Sequence, residues 1–523
     1  MTPTSIASII DANAASYGDR LALVDGERRY THRELLERCR DLAAGLAGHG
    51  LRRGDRLAVL LQNQAELIEL LYATARLGVV LVPLNYRLAP AEIRDVLLDC
   101  AAATLVVGDG YAQQLDEMIE GLTSAPEVFF TDANPPTGGR PLDDLRRGDL
   151  PAPPTAFDDA DPLALIYTGG TTGRPKGVVI THGGLTASVA RESAHLGFRP
   201  DDVSLCAIPL FHVSIVHMLS VAWAGGSAIL MSKIESQALL EAIERHGVTH
   251  TTLIPTSIGD LLAHPAIGDY RLSTLRMLVY GGAPIPPETL ERTIETFGEV
   301  LVQVYGLTEA SGVVSVLAPE DHRLEGETAG RLRSAGRPLP GLAIEIRQGD
   351  GTLAPTGHEG EIVVLGSGLM GGYWQRPEET AEALHDGALA TGDVGRLDDD
   401  GFLYVVDRKK EMIISGGENV YPKEVEDAIG HHPLVAEVAV VGVPHPRWGE
   451  AVKAYVVPRP GSVLTESDVI EHCRGLLARY KTPREVELCD SLPRTSVGKV
   501  DKNRLRARSS QMAASPTPGT SRV

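Results

Sequence analysis

The chain has no hydrophobic run approaching the ~18 uninterrupted apolar residues of a membrane span, so no integral membrane association is expected. The opening stretch MTPTSIASIIDANAASYGDR has no basic segment ahead of an apolar one, which argues against a secretory signal. Cysteine is scarce. Five are scattered over 523 residues (Cys39, Cys100, Cys206, Cys473, Cys489), with no CxxC pair. That spacing argues against a disulfide framework or a cysteine zinc site and for a reducing, cytoplasmic setting. Positive charge is also in deficit: 49 Lys and Arg stand against 69 Asp and Glu, a net charge of −20. So acidic a chain is a poor match for nucleic acid. Any polyanionic ligand must be met by local cations, because the global field opposes it. There is no internal repeat.

What is present is the composition of a soluble globular protein, 43% hydrophobic and 23% charged. The length calls for two or more domains. Strand-like runs at 21–24, 28–30, 56–61, 79–83 and 104–107 alternate with helical stretches at 65–77 and from Pro90. Such alternation means crossover units and a largely parallel sheet. Thr31-His32-Arg33-Glu34 is a capping box that opens a helix to about Leu46. Residues 132–161 are rich in Pro and Gly and read as a loop. That loop leads into the stretch around which the chain is organised, Tyr167-Thr168-Gly169-Gly170-Thr171-Thr172-Gly173-Arg174-Pro175-Lys176-Gly177. It lies between two apolar runs, 163–166 and 178–180, that read as strands. Four glycines let backbone approach a ligand closely, and successive N–H groups can form an anion-binding concavity. Three threonine hydroxyls and the cations Arg174 and Lys176 add to it. The stretch is longer and more cationic than a hairpin turn needs. It is not a Walker loop, because Lys176 follows proline and precedes glycine.

The stretch resembles the signature loop of the adenylate-forming superfamily, which comprises acyl- and aryl-CoA synthetases, adenylation domains of nonribosomal peptide synthetases and firefly luciferases. Gly169 stands where many members carry serine. The resemblance runs from about Ile9 to Arg506, with its blocks in the expected order. It implies that Thr168 to Gly173, with Lys176, hold the polyphosphate of ATP. Ile208 to Val213 follow a strand expected at 203–207. In the superfamily this segment borders the acyl pocket, with Phe211 or His212 near the carboxylate. Amino-acid-activating relatives usually place aspartate where His212 stands, so an α-amino acid is not the expected substrate, since an unpaired buried ammonium is costly. The run 215–223 is apolar at helical spacing and reads first as core.

Strands expected at 277–280 and 302–305 end in Gly281-Gly282-Ala283-Pro284 and Gly306-Leu307-Thr308-Glu309. Ligands of open α/β sheets bind beyond such strand ends. Tyr305 offers a face to adenine, Gly281, Gly282, Ala283 and Gly306 let a flat base approach, and Thr308 can bond a phosphate. Glu309 alone reads as an acid near a helix start. The resemblance makes it the Mg²⁺ ligand, a hard oxygen donor suited to an ion bridging phosphates. Gly366-Ser367-Gly368-Leu369-Met370-Gly371 fits a dinucleotide fingerprint but opens no apolar helix, so NAD is rejected and the block is assigned a structural role. The resemblance makes Asp393 the ligand of the ribose hydroxyls and Arg408 a contact to ribose or phosphate. It makes Lys410 the hinge of a domain rotation and the Ser415-Gly416-Gly417 loop a wall of the pantetheine tunnel. Lys499, by itself a surface lysine, becomes the adenylation lysine, a mobile point charge able to reach both carboxylate and α-phosphate.

The fold expected is α/β. A large N-terminal domain of mixed and parallel sheets flanked by helices, with a small barrel-like subdomain, spans 1–407. A hinge follows at 408–410, then a small mobile α+β domain at 411–508 and a disordered tail at 509–523. The expected activity is that of an ATP-dependent acyl-CoA synthetase, with Lys499, Thr308 and His212 as the catalytic set and ATP, Mg²⁺ and CoA as cofactors. Phe211, Val213, Ile215, Val216, Ser311, Gly312 and Val313 are the candidate pocket, apolar or small and without a cation. A monocarboxylic fatty or aromatic acid is therefore favoured over a dicarboxylic one. The alternatives are a ligase that loads a carrier-protein thiol, a catalytically silent nucleotide-binding homologue and, more remotely, a luciferase-like oxygenase. A monomer or a homodimer is expected.

Overall fold

The computed structural model describes residues 2–132, 135, 139–146, 157–168, 175–282, 285–326, 329–408, 411–415, 418–445, 449–477, 479, 481–495 and 498–514. The chain divides into two compact units, Met1–Glu345 with Val363–Thr391 and Gly401–Leu403, and Ile346–Ile362 with Gly392–Asp400 and Tyr404–Val523. Residues 342–408 supply one five-stranded sheet, ordered Leu342–Arg347, Gly360–Gly366, Ala388–Leu397, Leu384–His385, with Leu403–Arg408 pairing Ala388–Leu397.

Two large sheets build the first unit. In the nine-stranded sheet, Leu301–Leu307, Met277–Gly281, His250–Leu253, Val203–Cys206, Ser227–Leu230 and Leu21–Asp25 run parallel in that order. Antiparallel strands close both edges. The seven-stranded sheet is ordered Arg140–Pro141, Glu127–Phe130, Thr104–Val107, Arg56–Leu60, Val80–Pro83, Pro162–Thr168, Lys176–Thr181, and only the last pair is antiparallel. Parallel strands are covered on both faces and so read as unbroken apolar runs. Val80–Pro83 and Thr104–Val107 are buried at every position.

Local signals place the helices. Thr31 accepts from Glu34 N at 3.2 Å while Glu34 Oε2 accepts from Thr31 N at 2.8 Å, and the helix His32–Gly48 begins there. Ala65–Leu77 spans the residues its spacing predicts, is buried throughout, and ends at Gly78 with φ +66°. Glycine meets that left-handed cap without a Cβ penalty.

The second unit has a five-stranded sheet centred on the pair Val435–His445 and Gly449–Pro458. Val440, Val452 and Val456 pack with Ile429 and Val469 of its helices. Its last helix, Lys502–Ala514, takes in residues 509–514, which the sequence assigned to a disordered tail. Leu505 is buried, and its carbonyl accepts from Tyr455 Oη at 3.1 Å, so the helix has an anchor that a polar composition does not reveal. Among the described residues, no helix is long and apolar enough to cross a membrane.

Asn63 ties the two large sheets together. It follows the strand Arg56–Leu60 and is 4% exposed. Its Nδ2 lies 3.1 Å from Cys206 O, 2.9 Å from Ile208 O and 3.0 Å from Met231 O, and its Oδ1 accepts from Leu210 N at 2.8 Å. These partners sit at the carboxyl ends of Val203–Cys206 and Ser227–Leu230, on the approach to Phe211 and His212. Removing the amide leaves several buried backbone groups unpaired. Asn63→Ala is expected to lose about 3 kcal/mol of stability in urea unfolding. Asn63→Asp, which keeps the shape but loses both donors, is expected to be no better.

Candidate active site

The strands Pro162–Thr168 and Lys176–Thr181 pair antiparallel up to the ends of the glycine-rich stretch, with Tyr167 opposite Gly177 and Thr168 opposite Lys176. Leu163, Leu165, Ile166, Val178 and Ile180 root this hairpin in the core. Gly169, Gly170, Thr171, Thr172, Gly173 and Arg174 lie outside the described residues. Tyr167 Oη donates to Asp99 Oδ2 at 2.7 Å, and burial raises the phenol's pKa well above its ordinary value, so it stays a donor. A Cβ on Gly177 would lie 3.0 Å from Tyr167 Cζ and 3.3 Å from Trp374 Cβ, so only glycine fits at ease.

Residues 371–374 lie as a short rung along the strand Lys176–Thr181. Gly371 N donates to Val179 O at 2.8 Å, Val179 N to Gly372 O at 2.9 Å, and Trp374 N to Gly177 O at 2.7 Å. Tyr373 bridges Val178. The far end of the rung is pinned to Asp99, whose carbonyl accepts from Trp374 Nε1 at 3.2 Å and whose carboxylate pairs with Arg376 at 2.6 Å. This is the glycine block to which the sequence assigned only a structural role. No helix opens at Gly371, as the rejection of NAD required. The block nevertheless reaches the candidate site.

It reaches it through Glu309. Met370 N donates to Glu309 O at 2.8 Å, and Tyr373 Oη donates to Glu309 Oε1 at 3.0 Å. Burial, and then the Glu309 charge, raise the Tyr373 phenol's pKa, so it too remains a donor. Lys176 Nζ lies 5.2 Å from the centroid of the Tyr373 ring and 4.0 Å from Glu379. Thr308 and Glu309 form a single 3-10 turn, Thr308–Ala310, after the strand Leu301–Leu307. The turn ends at Ser311, fully buried with φ +52°, a strained conformation for a residue with a side chain, and its hydroxyl has no hydrogen-bond partner among the described residues. Tyr305 faces Ser315 across the strand pair, and a Cβ on Gly306 would lie 2.3 Å from Gly312 O. Gly281 is equally tight, 2.4 Å from Val304 O, and Gly282 takes φ +74°. Ala283 lies outside the described residues.

Among the described residues, no group of three His, Cys, Asp or Glu could hold a metal by itself. Magnesium that leans on nucleotide phosphates needs only one or two carboxylates. Glu309 suits that use: Tyr373 occupies Oε1, and Oε2 has no hydrogen-bond partner among the described residues.

On the acyl side, Phe211 is buried, packs edge-on to Tyr86 at 5.1 Å, and lies 4.2 Å from the ring of His212. A Cβ on Gly312, at φ +134°, would meet Ser188 Oγ at 3.0 Å and Val216 at 3.1 Å, so Val216 and Gly312 do share a wall. Val213 and Ile215 line a small apolar cavity with Leu67, Leu71, Leu185 and Leu210. Sequence reasoning missed the buried group that fixes the helix Ile215–Trp223. Glu192, with no exposure, pairs with His217 and accepts from Ser220 Oγ at 2.9 Å. The only available signal was one acid in the helix His182–Leu196 and one histidine in an apolar helix, too common a pattern to pair.

In the second unit, Asp393 is 8% exposed on the strand Ala388–Leu397, after Gly392 at φ +72°. Arg408 ends the strand Leu403–Arg408. Ser415 is buried opposite Gly449, while Lys410, Gly416 and Gly417 lie outside the described residues. Lys499 is exposed on a turn closed by Thr495 N donating to Lys499 O at 2.7 Å, with Gly498 at φ +83°. Arg494 steadies that turn, donating to Gly498 O at 3.1 Å and pairing with Glu437 at 2.6 Å. Lys502, three residues on, is engaged differently, 2.8 Å from Glu426 and 3.2 Å from Glu411.

Comparison with known proteins places the chain in a family. The AMP-binding enzyme family model matches residues 10–374, and that of the AMP-binding enzyme C-terminal domain matches residues 424–499. The chain is 40% identical over 492 residues to a feruloyl-CoA synthase of Amycolatopsis sp, covering 93% of this chain and 95% of that one. It is 38% identical over 501 residues to an indoleacetate–CoA ligase of Aromatoleum aromaticum, covering 95% and 96%. Among solved structures, an amide bond synthetase from Marinactinospora thermotolerans superposes with a TM-score of 0.87 at 32% identity, over 96% of this chain and 99% of that one. The chain belongs to the AMP-binding enzyme family, as an AMP-forming acid–thiol ligase, an acyl-CoA synthetase that uses ATP, Mg²⁺ and CoA.

Proposed function

We propose that this ligase activates a monocarboxylic aromatic acid, with Lys499 as the residue that makes adenylation possible. The observation that carries the choice of acid is the apolar, buried character of the candidate pocket residues: Val216 lies against Gly312, and Phe211 is buried against Tyr86. A second carboxylate there would be desolvated without a partner. The names of the feruloyl-CoA synthase and the indoleacetate–CoA ligase, both taken from aryl acids, support the reading.

In the first half-reaction an oxygen of the acid's carboxylate attacks the α-phosphorus of ATP. The bond to the bridging oxygen breaks and pyrophosphate leaves. Thr168 to Gly173 and Lys176 hold the polyphosphate, Thr308 donates to a phosphate oxygen, and Tyr305 with Gly282, Ala283 and Gly306 receives adenine. Asp393 accepts from the ribose hydroxyls and Arg408 contacts ribose or phosphate. Glu309 would hold Mg²⁺, which would supply charge neutralisation on the phosphates. His212 and Phe211 border the carboxylate, and Lys499 places its ammonium between carboxylate and α-phosphate as charge builds there. In the second half-reaction the CoA thiol, losing its proton, attacks the acyl carbon and AMP leaves. Ser415, Gly416 and Gly417 line the path of the pantetheine, and Lys410 absorbs the backbone rotation between the two steps. The five free thiols support a cytoplasmic setting.

Lys499→Ala is expected to lose ATP–pyrophosphate exchange by about a hundredfold or more, yet still to form thioester from supplied acyl-AMP. Normal exchange in that variant sinks the assignment. Lys410→Pro is expected to spare exchange and slow thioester formation, and equal loss of both counts against a hinge there. A pyrophosphate-release panel tests the acid: kcat/KM for arylpropenoic or arylacetic acids should exceed that for malonate by about a hundredfold or more. Run with CoA, with a carrier protein and with a free amine, the same panel identifies the acceptor. Faster product formation with the amine would move the chain toward the amide-forming relative.

A further inference from the structure

Tyr373 carries none of the roles assigned above, yet it touches two groups of the nucleotide site. Its hydroxyl donates to Glu309 Oε1 at 3.0 Å, and the Lys176 ammonium sits 5.2 Å from its ring centroid. Its own placement is over-determined. The backbone bridges Val178, Tyr373 N donates to Thr380 Oγ1 at 2.8 Å, and both neighbours in the chain are bonded to the strand Lys176–Thr181. The rung thus fixes the backbone from which the ring projects, and the Glu309 and Lys176 contacts lie at the ring's two ends. Glu309, in contrast, stands on one 3-10 turn, and its side chain has several rotamers to lose.

The two contacts use the two ends of tyrosine's chemistry. A phenol O–H donates to a carboxylate in a charge-assisted hydrogen bond, while the negative face of the ring attracts an ammonium. Phenylalanine keeps the second and loses the first. Leucine loses both. With Oε1 bonded to Tyr373, Oε2 is presented with a fixed orientation. We propose that Tyr373 is a positioning residue that orients the Glu309 carboxylate for the divalent cation accompanying ATP and seats Lys176 at the base of the phosphate loop. The proposal rests on Glu309 being the cation's ligand.

The test uses full-length protein, Mn²⁺ as a paramagnetic stand-in for Mg²⁺, and α,β-methylene-ATP as a nucleotide that is not turned over. Free Mn²⁺ is read by electron paramagnetic resonance. Tyr373→Phe is expected to weaken Mn²⁺ binding to the protein–nucleotide complex about tenfold, the size of one charge-assisted hydrogen bond. Its ligand-free melting temperature and its KM for the acid should stay unchanged. Calorimetry without metal should find nucleotide affinity kept in Tyr373→Phe and reduced in Tyr373→Leu. Wild-type Mn²⁺ affinity in Tyr373→Phe overturns the proposal, and so does a parallel loss of acid binding, which marks a merely structural role. If Tyr373→Phe does not fold, Tyr373→His, which keeps a ring and a donor, carries the test. Mn²⁺ affinity near wild type supports the proposal there, and its loss overturns it. Glu309→Gln separates the two readings: unchanged Mn²⁺ affinity in that variant overturns the metal assignment and the proposal with it. Weakened binding in Glu309→Gln beside wild-type affinity in Tyr373→Phe removes only the tyrosine.

Discussion

The rung that residues 371–374 lay along the strand Lys176–Thr181 is the constraint on which the nucleotide site depends. A glycine-rich loop can cradle phosphate only if its two ends are held at a fixed separation. The hairpin pairing holds them on one side, and the rung completes the hydrogen bonding of the outer strand on the other. Because the same rung reaches Glu309 through Met370 and Tyr373, the base of the loop and the candidate metal ligand share one anchor. A separate anchor for each would let the two drift relative to one another, and charge stabilisation falls quickly when donors are misplaced.

The anchor continues into the core through electrostatics that an acidic chain can afford only locally. Asp99 takes Tyr167, Trp374 and Arg376 at once, so hairpin and rung converge on the end of the helix Pro90–Cys100. Asn63 does the same for the acyl side with an uncharged amide, which is the less costly choice at a site of near-complete burial. The lysines of the second unit divide their work on the same physical ground. Lys502 is held by two carboxylates and belongs to the fold, whereas Lys499 is exposed on a glycine turn.

Much of the architecture was legible in the chain. The Thr31 capping box, the helix Ala65–Leu77 and the strand Thr104–Val107 follow from spacing and burial alone, since each is decided by contacts a few residues away or by one unbroken apolar run. Thr308 and Glu309 fall just beyond the end of the strand Leu301–Leu307, where a parallel sheet leaves room for a ligand, whereas Tyr305 and Gly306 lie within that strand. The helix over 509–514 was not legible, because its hold is Leu505, buried in one cluster with Tyr455 and bonded through its carbonyl to the Tyr455 hydroxyl, and hidden in a polar composition. Nor were the turns of Val213 and Ile215 toward Leu67 and Leu71. Helical spacing gives a face but does not say which neighbour covers it.

By itself, then, the sequence named the family's blocks, their order and the candidate residues, because glycine, threonine, lysine and glutamate suit what phosphate and magnesium require. Only the tertiary structure decided what holds them. Arg376 and Asp99 stand 277 residues apart, and no periodicity or composition links them. A glycine block that fits a dinucleotide pattern on paper becomes a clamp on the phosphate hairpin once the chain folds, since hydrogen bonds between distant backbones depend on proximity alone and leave no local mark on the residues that make them.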